Sequence, residues 1–344
     1  MYHSINTNLF VPIFLNGIAK KLENLMKNKP LISIITPSFN QADYLEMSIL
    51  SVLEQDYPNI EYLIVDGNST DGSQKIIKKY ENQLAWWISE RDMGQADAFN
   101  KGLQHAHGKY IGWLNSDDLY LSGAISEAVE LFEADPALSF VFGDVQSINE
   151  TGEITNIMKY NDWDLVNLMQ FKIIGQPAVF MRKDLLDAVG GLDISYHFLL
   201  DHHLWLRLAA KAPIKYSGKL WASARFHATA KNVSQAAEFG KEAYRLVAWM
   251  ENNPDLRKFF SKDHKKIYAG AHRMNARYLL DGGQSQAALK AYWKGIRTHV
   301  LTILPEWHRV LFTIVSPFGL KKLKNLYLKM RFWLTRPDLK GKSK

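Results

Sequence analysis

At 344 residues, 47% of them hydrophobic, the chain can build one catalytic-scale domain and something smaller. It has no cysteine, which excludes disulfides, thiolate metal sites and a cysteine nucleophile. The net charge of +7 is uneven: residues 261–344 hold 18 Lys and Arg against 4 Asp and Glu, a surplus of +14 that leaves −7 for residues 1–260. A basic tail on an acidic body argues against a nucleic-acid groove through the main domain and for an anionic surface met by the C-terminus.

In chain order, residues 9–26 space Val11, Phe14, Leu15, Ile18, Leu22 and Leu25 as on an amphipathic helix, with Lys20, Lys21 and Lys27 beside them. From residue 31 the pattern becomes strand then helix, repeated. Strands are expected over 31–36, 60–65, 86–89 and at 111–114, with helices over 44–54, 73–80, the second half of 92–102, and 122–134; a further strand over 138–142 ends at Gly143-Asp144. Successive βα units predict an α/β class with an open, mostly parallel sheet and helices on both faces.

Polar punctuation follows each of the first four strands: Ser38-Phe-Asn40, Asp66 to Asp71, Asp92 to Asp97, and Asn115-Ser-Asp-Asp118. Turn chemistry accounts for any one of these loops. A parallel sheet gathers all four on one rim, where such sheets bind their ligands. Asp117 and Asp118 beside Asn115 and Ser116 form a hard-oxygen set suited to Mg²⁺ or Mn²⁺, whereas an Asp helix cap is the simpler explanation of that stretch alone.

Beyond Asp144 the alternation loosens. A short helix is expected over 162–170, a strand over 176–181, a helix over 183–189 closed by Gly190-Gly191, and a helix beginning near Asp201. His202 and His203 are adjacent on that helix and point apart, which disfavours a shared metal. Strands at 214–216 and 220–226 complete the sheet region, and from 237 the chain reads as helical, with 273–280 and 285–298 as an antiparallel pair. At the C-terminus an apolar stripe of Leu320, Leu323, Leu326, Met330 and Trp333 is flanked by Lys321, Lys322, Lys324, Lys329 and Arg331. Such a helix either packs on its own domain or anchors at a membrane surface. No run reaches the roughly 20 apolar residues of a transmembrane helix and the N-terminus lacks a signal-peptide layout, so a cytoplasmic protein, peripheral on the inner membrane face, is expected.

Taken together, Ile34-Ile-Thr-Pro-Ser-Phe-Asn40, Ile64-Val-Asp-Gly-Asn-Ser-Thr-Asp71-Gly, the Gly94 to Gly102 segment, Leu114-Asn-Ser-Asp-Asp118, and Asp201 before Leu204-Trp-Leu-Arg207 resemble the family-2 glycosyltransferases with the GT-A fold, over about residues 31–234. The resemblance divides the chain into an N-terminal helix (1–29), the GT-A domain (30–235) and a basic helical region (236–344). It implies inverting transfer from a nucleotide-activated sugar, usually UDP-linked, to a glycan or lipid-linked glycan acceptor in cell-surface polysaccharide or lipopolysaccharide assembly.

Position by position, the resemblance implies that Pro37, Phe39, Asn40, Asp66, Asp92 and Asn100 bind the nucleotide and that Asp117, helped by Asp118, holds Mn²⁺ or Mg²⁺. It further implies that His227 and Lys231 reach the diphosphate, Gln176 and Pro177 meet the acceptor, and Asp201 is the general base. Two departures stand out: the family's Asp-x-Asp reads Asn115-Ser-Asp117, and Phe99 replaces a common arginine, with Lys101 as the nearby alternative. The chemistry is coherent without the name: an ion at Asp117 would neutralise a leaving diphosphate, and one carboxylate across the cleft would take the acceptor's proton.

A nucleotidyltransferase would show a glycine-rich loop after the first strand, as a dinucleotide-binding dehydrogenase would, and Thr36-Pro-Ser-Phe-Asn40 has no glycine. A dehalogenase-type phosphatase would place its nucleophilic aspartate there. A membrane-attached nucleotide-binding module without catalysis remains as the rival of another class.

Overall fold

The computed structural model describes residues 29–227 and 235–315. Both terminal helices expected from the sequence, and Lys231, lie outside them.

Strand β1 (Ile32–Ser38) is buried along its whole length, as a continuous β-branched run requires when both sheet faces are covered. It pairs in parallel with β2 (Ile60–Asp66) and β4 (Tyr110–Trp113), and β2 pairs in parallel with β3 (Trp86–Ser89). Helices α1 (Ala42–Leu53), α2 (Ser73–Tyr80) and α3 (Gln95–His105) supply the crossovers. The four predicted βα units therefore exist, and their polar loops share the C-terminal rim.

After β4 come β5 (Leu119–Tyr120), α4 (Ala124–Ala134), β6 (Phe140–Ile148), β7 (Ile154–Met158), α5 (Leu165–Met169), β8 (Val179–Arg182), α6 (Lys183–Ala188), α7 (Leu200–Lys211) and β9 (Ile214–Arg225). The spatial order is β3-β2-β1-β4-β8-β6-β9-β5, with β7 paired to β6. Here the sheet turns mixed. β8 runs antiparallel to both β4 and β6, β7 is antiparallel to β6 and β5 to β9, while β6 and β9 are parallel. The two strands expected at 214–216 and 220–226 are one strand, bent by register shifts against β6 around Asp144. Hairpin strand β7 was not anticipated.

Helices α8 (Ala236–Asn252), α9 (Arg257–Asp281), α10 (Ser285–Ile303) and α11 (Trp307–Val315) follow. The expected antiparallel pair is α9 with α10. Composition marks a boundary near residue 235, but the core runs across it: Phe239, Leu246, Met250, Phe260, Ile267 and Met274 belong to the same apolar cluster as β1 and β4. Gly270 of α9 lies flat on the chain after α5, where an added Cβ would come 2.3 Å from the Gln170 carbonyl oxygen. Arg273 locks the same place by donating to the carbonyls of Gln170 (3.2 Å) and Phe171 (3.0 Å). The helical region is thus fixed against the segment that leads to α7.

Candidate functional site

The register aligns Ser38, Asp66 and Ser89 at the ends of β1, β2 and β3. Asp66 is fully buried; its carboxylate accepts from Ser69 N (2.9 Å), Ser69 Oγ (2.5 Å) and Ser89 Oγ (2.6 Å). What Asp66 gives the cleft in this structure is the shape of the loop after β2. Asn40, with φ of 50°, joins the neighbouring loop to it: its N–H donates to Ser69 Oγ (2.8 Å) and its Oδ1 accepts from Thr70 N (2.9 Å). Asn tolerates that left-handed backbone better than most residues.

Pro37 is buried in β1, and Phe39 beyond it is 60% exposed. Gly67 sits between Phe39 and Asp92, since a Cβ there would meet Asp92 Oδ2 at 2.7 Å and the Phe39 ring at 3.1 Å. The result is a slot with an aromatic ring on one side, a carboxylate on the other and bare backbone between. Asp92 Oδ1 accepts from Gly94 N (2.8 Å).

Asn100 does not reach this slot. Both ends of its amide are taken by the Leu192 backbone, at 2.8 Å each, so it ties α3 to the loop ahead of α7. Phe99 is buried against Trp113, and Lys101 is committed to Glu90 (2.8 Å) and Asp97 (3.6 Å). The position of the family's arginine is therefore core packing here.

Beyond β4, Asn115 is a hub. Its Oδ1 accepts from Gln95 Nε2 (2.5 Å), and its Nδ2 donates to Asp118 Oδ2 (3.2 Å) and Gln176 Oε1 (2.8 Å). Two acceptors converge on this side chain, so it must present an N–H₂; a carboxylate would oppose both. That accounts physically for the departure from Asp-x-Asp. Asp118 is buried, accepts from Arg225 N (2.9 Å), and is pushed well above the usual carboxylate range by burial and by the charge of Asp117. It faces the interior and not a metal. Gln176 is also buried, donating to the Trp113 carbonyl (2.5 Å), and Pro177 is buried behind it. Both brace Asn115 from inside, which removes the expected acceptor contact.

Asp117 turns the other way. Its side chain stays 19% exposed, with Oδ2 3.1 Å from His227 Nε2. The contact with Asp117 raises the His227 imidazole above its ordinary range, and Tyr44 lies beside that ring at 5.3 Å. Arg225, stacked 4.7 Å over Tyr44, donates to the Asp117 carbonyl (3.1 Å) and fixes the turn. An oxygen and a nitrogen donor converge as a divalent ion of Mn²⁺ type accepts. No third His, Cys, Asp or Glu joins them among the described residues, so the remaining ligands would be a substrate's oxygens and water.

Asp201 lies in the first turn of α7, its Oδ1 accepting from His202 N (2.7 Å). Burial raises its carboxyl to about 6, and the charge of Glu242 adds to the rise. Glu242 reaches from α8 and accepts the backbone N–H groups of His197 (2.7 Å), Phe198 (2.8 Å) and Leu199 (2.7 Å), capping the entry to α7 from another element. No sequence motif marks Glu242. From the Asn115 side a bonded chain runs to Gln176 and, through adjacent Gly175, whose N–H donates to Tyr160 Oη (2.8 Å), as far as Tyr160. Burial raises the Tyr160 phenol most, and the charge of Asp201 is among the lesser contributors.

His202 bonds the Leu168 carbonyl (3.0 Å) beside Phe171, while His203 sits between Tyr196 and Trp249. Burial lowers them to about 4 and about 3.

Residues 33–185 match the family model described as Glycosyl transferase family 2. The chain is 40% identical over 116 residues to a putative teichuronic acid biosynthesis glycosyltransferase, TuaG, of Bacillus subtilis, covering 33% of this chain and 46% of that one. An uncharacterized glycosyltransferase of Mycobacterium tuberculosis is 30% identical over 188 residues, 54% of this chain and 71% of its own. WfgD of Escherichia coli, a UDP-Glc:alpha-D-GlcNAc-diphosphoundecaprenol beta-1,3-glucosyltransferase, is 28% identical, covering 52% and 69%. Against the first relatives it matches, the chain spans about a third to two thirds of their length. Among solved structures, the mannosyltransferase PcManGT of Pyrobaculum calidifontis, in complex with GDP-Man and Mn²⁺, superposes with a TM-score of 0.56 at 18% identity, covering 95% of each chain.

Proposed function

The chain belongs to the family-2 glycosyltransferases and has their GT-A fold, and from that premise we propose that it is an inverting transferase moving a sugar from a UDP-linked donor to a hydroxyl of a lipid-linked glycan. The setting we assign is assembly of a cell-surface polysaccharide. The UDP donor and lipid-linked acceptor are supported by the name of the Escherichia coli relative, and the setting also by that of the Bacillus subtilis one.

The observation that carries the proposal is Asp201: a carboxyl raised to about 6 at a helix entry, whose charge is felt at Tyr160, the residue that bonds Gly175 next to the Gln176 partner of Asn115 in the turn that presents Asp117. At neutral pH it is ionised and a stronger base than a free aspartate. In the step proposed, the acceptor oxygen bonds to the anomeric carbon as the bond from that carbon to the diphosphate breaks, and Asp201 takes the hydroxyl proton. Attack opposite the leaving group inverts the anomeric centre. No second carboxylate is required, because the diphosphate leaves as an anion.

On the donor side, Phe39 and Asp92 flank Gly67 as the places for base and ribose, with Pro37 and Asn40 shaping the first loop and Asp66 the second. Asp117 and His227 would hold Mn²⁺ or Mg²⁺, which when bound offsets the charge of the leaving diphosphate. Lys231 keeps its proposed part at the diphosphate from sequence. The acceptor belongs near Tyr160 and the Glu242-capped loop. No helix among the described residues is long and apolar enough to cross a membrane, and a lipid-linked acceptor would be met through peripheral contact by the basic C-terminal region.

A panel of UDP- and GDP-sugars, each with and without Mn²⁺, scored first by thermal stabilisation and then by release of nucleotide, tests this reading. A UDP-sugar should stabilise the protein more with Mn²⁺ than without, and Asp117→Asn should lose that increment. Stabilisation by no nucleotide sinks the reading. Binding without turnover, with or without added acceptors, makes the protein the non-catalytic module.

A further inference from the structure

We propose that the outer face of α10 and α11 docks on the surface of an anionic phospholipid bilayer. Fourteen large apolar side chains are exposed among the described residues, and seven of them fall between Trp293 and Ile314. They concentrate in 22 residues of chain, on two consecutive helices and the turn between them. Trp307, Leu311 and Ile314 share one side of α11 at i, i+4, i+7 spacing, and Leu301 and Leu304 precede them. The inner side of α11 is already satisfied. Thr313 is buried, Glu306 just before the helix is held by Arg277 and by Tyr292 (2.8 Å), and Arg309 meets Asp281 at 3.1 Å. A helix whose inner side is already satisfied and whose outer side is apolar is incomplete in water.

Charge identifies the occupant. Ahead of the break in helical geometry at His299, α10 exposes Lys290, Lys294 and Arg297 around Trp293, again at i, i+3, i+4, i+7 spacing. None of the three cations has an ion-pair partner among the described residues. Some surface lysines elsewhere are matched, as Lys79 is by Glu46, Lys109 by Glu133 and Lys211 by Asp255. The only acid in residues 285–315 is Glu306, which is buried. The next 29 residues, 316–344, hold nine Lys and Arg against one Asp, interleaved with Leu, Phe and Trp. An apolar centre with indoles at two points of its margin and cations beyond is the composition of an interfacial surface, where indole sits at headgroup depth and cations meet anionic lipid. A second copy fits less well, since a two-fold contact would bring the same unpaired cations together.

This deepens the membrane part of the reading above, and it is tested without turnover, so its failure leaves the transferase assignment standing. Full-length protein is floated with vesicles of phosphatidylglycerol and phosphatidylcholine, and with phosphatidylcholine alone. Binding to the anionic vesicles, weakened by salt, is the expected result. Trp307→Ser with Leu311→Ser should lower that binding on the order of tenfold, with the melting temperature unchanged because both side chains are exposed. Lys290→Glu, Lys294→Glu and Arg297→Glu together should lower it similarly and remove its salt dependence in part. The proposal is overturned if wild type stays unbound, if neutral vesicles bind it equally, or if the Trp307 and Leu311 variant binds as well as wild type, which would give all binding to residues 316–344. A dimer in sedimentation that this variant splits, without vesicle binding, gives the face to a second copy instead.

Discussion

The two sides of the cleft are built by different means. On the donor side, loops after adjacent parallel strands are stitched to one another over short distances: Asn40 to Ser69 and Thr70, Gln41 to Ser73, Asp66 to Ser89. On the acceptor side, Asp201 depends on elements remote in sequence, Glu242 on α8 and the α9 contacts to Gln170 and Phe171. The first side is carried by strand order alone. The second exists only once the C-terminal helices have docked, so substitutions should separate donor binding from transfer.

Asp201→Asn should part them most. Loss of a general base lowers turnover by on the order of 10³-fold, while UDP affinity measured by calorimetry stays within about twofold. The same carboxyl gives a stability test. Its folded pKa is about 6, above the unfolded value near 4, so the contribution of this carboxyl to stability is fullest below pH 4 and is lost as pH rises from 4 through 6. Asn does not ionise. The variant should therefore be more stable than wild type above pH 6, by about 3 kcal/mol, with the gap closing below pH 4. Wild-type turnover should rise with pH through about 6. Unchanged turnover in the variant removes Asp201 from the chemistry.

Next in size is Glu242→Ala, which strips three backbone N–H groups of their acceptor in a buried place. The expected destabilisation is about 3 kcal/mol, read as a lower denaturation midpoint. Turnover should fall more than UDP affinity does, because the donor loops do not touch Glu242. Equal losses in both would mean that the two sides are one mechanical unit.

This division also explains what the sequence disclosed. The βα units of the first 134 residues were legible because parallel strands buried on both faces read as unbroken apolar runs, and the rim followed from strand order. β7 was not read, although Asn149-Glu-Thr-Gly152 is a turn signal, because β7 is half-exposed and lacks such a run. Antiparallel insertion of β8 between β4 and β6 rests on long-range pairing that local pattern does not encode. At the site, Phe39, Asp92 and Asp117 were read from motif position and keep exposed surface on the rim, while His227, read the same way, is buried against Asp117. Asn100, Asp118, Gln176 and Pro177 carry motif positions too, yet their polar groups are spent on Leu192, Arg225, Asn115 and Trp113, or they are buried outright. A motif records which residues belong together, not which of them face outward. Glu242 carries no local signal at all.

Asn115→Asp tests the hub on which the two sides meet. A carboxylate there would face Asp118 Oδ2 and Gln176 Oε1, replacing two hydrogen bonds with repulsion. The expected loss is about 1–3 kcal/mol in stability, relieved at low pH as the acids protonate, since burial already raises Asp118. Restoring Asp-x-Asp should therefore weaken this protein, and Asn115→Asp with Gln176→Glu should weaken it further. A more stable Asp variant would show that Asn115 is not chosen for its donors.

The smallest effect is expected at Phe39→Ala. The ring is exposed and braces no core, so stability should stay within about 0.5 kcal/mol of wild type. An aromatic face against a base contributes about 1 kcal/mol beyond area burial, which corresponds to a loss of roughly fivefold in UDP affinity. Transfer at saturating donor should be unaltered, because Phe39 is on the donor side and remote from Glu242 and its loop. Gly67→Ala reaches the same slot by a different route: its methyl would stand 2.7 Å from Asp92 Oδ2 and 3.1 Å from the Phe39 ring, filling the space from within. If the slot takes the base, both variants weaken UDP binding and leave turnover at saturation alone; if Gly67→Ala binds UDP as wild type does, the base lies elsewhere on the rim.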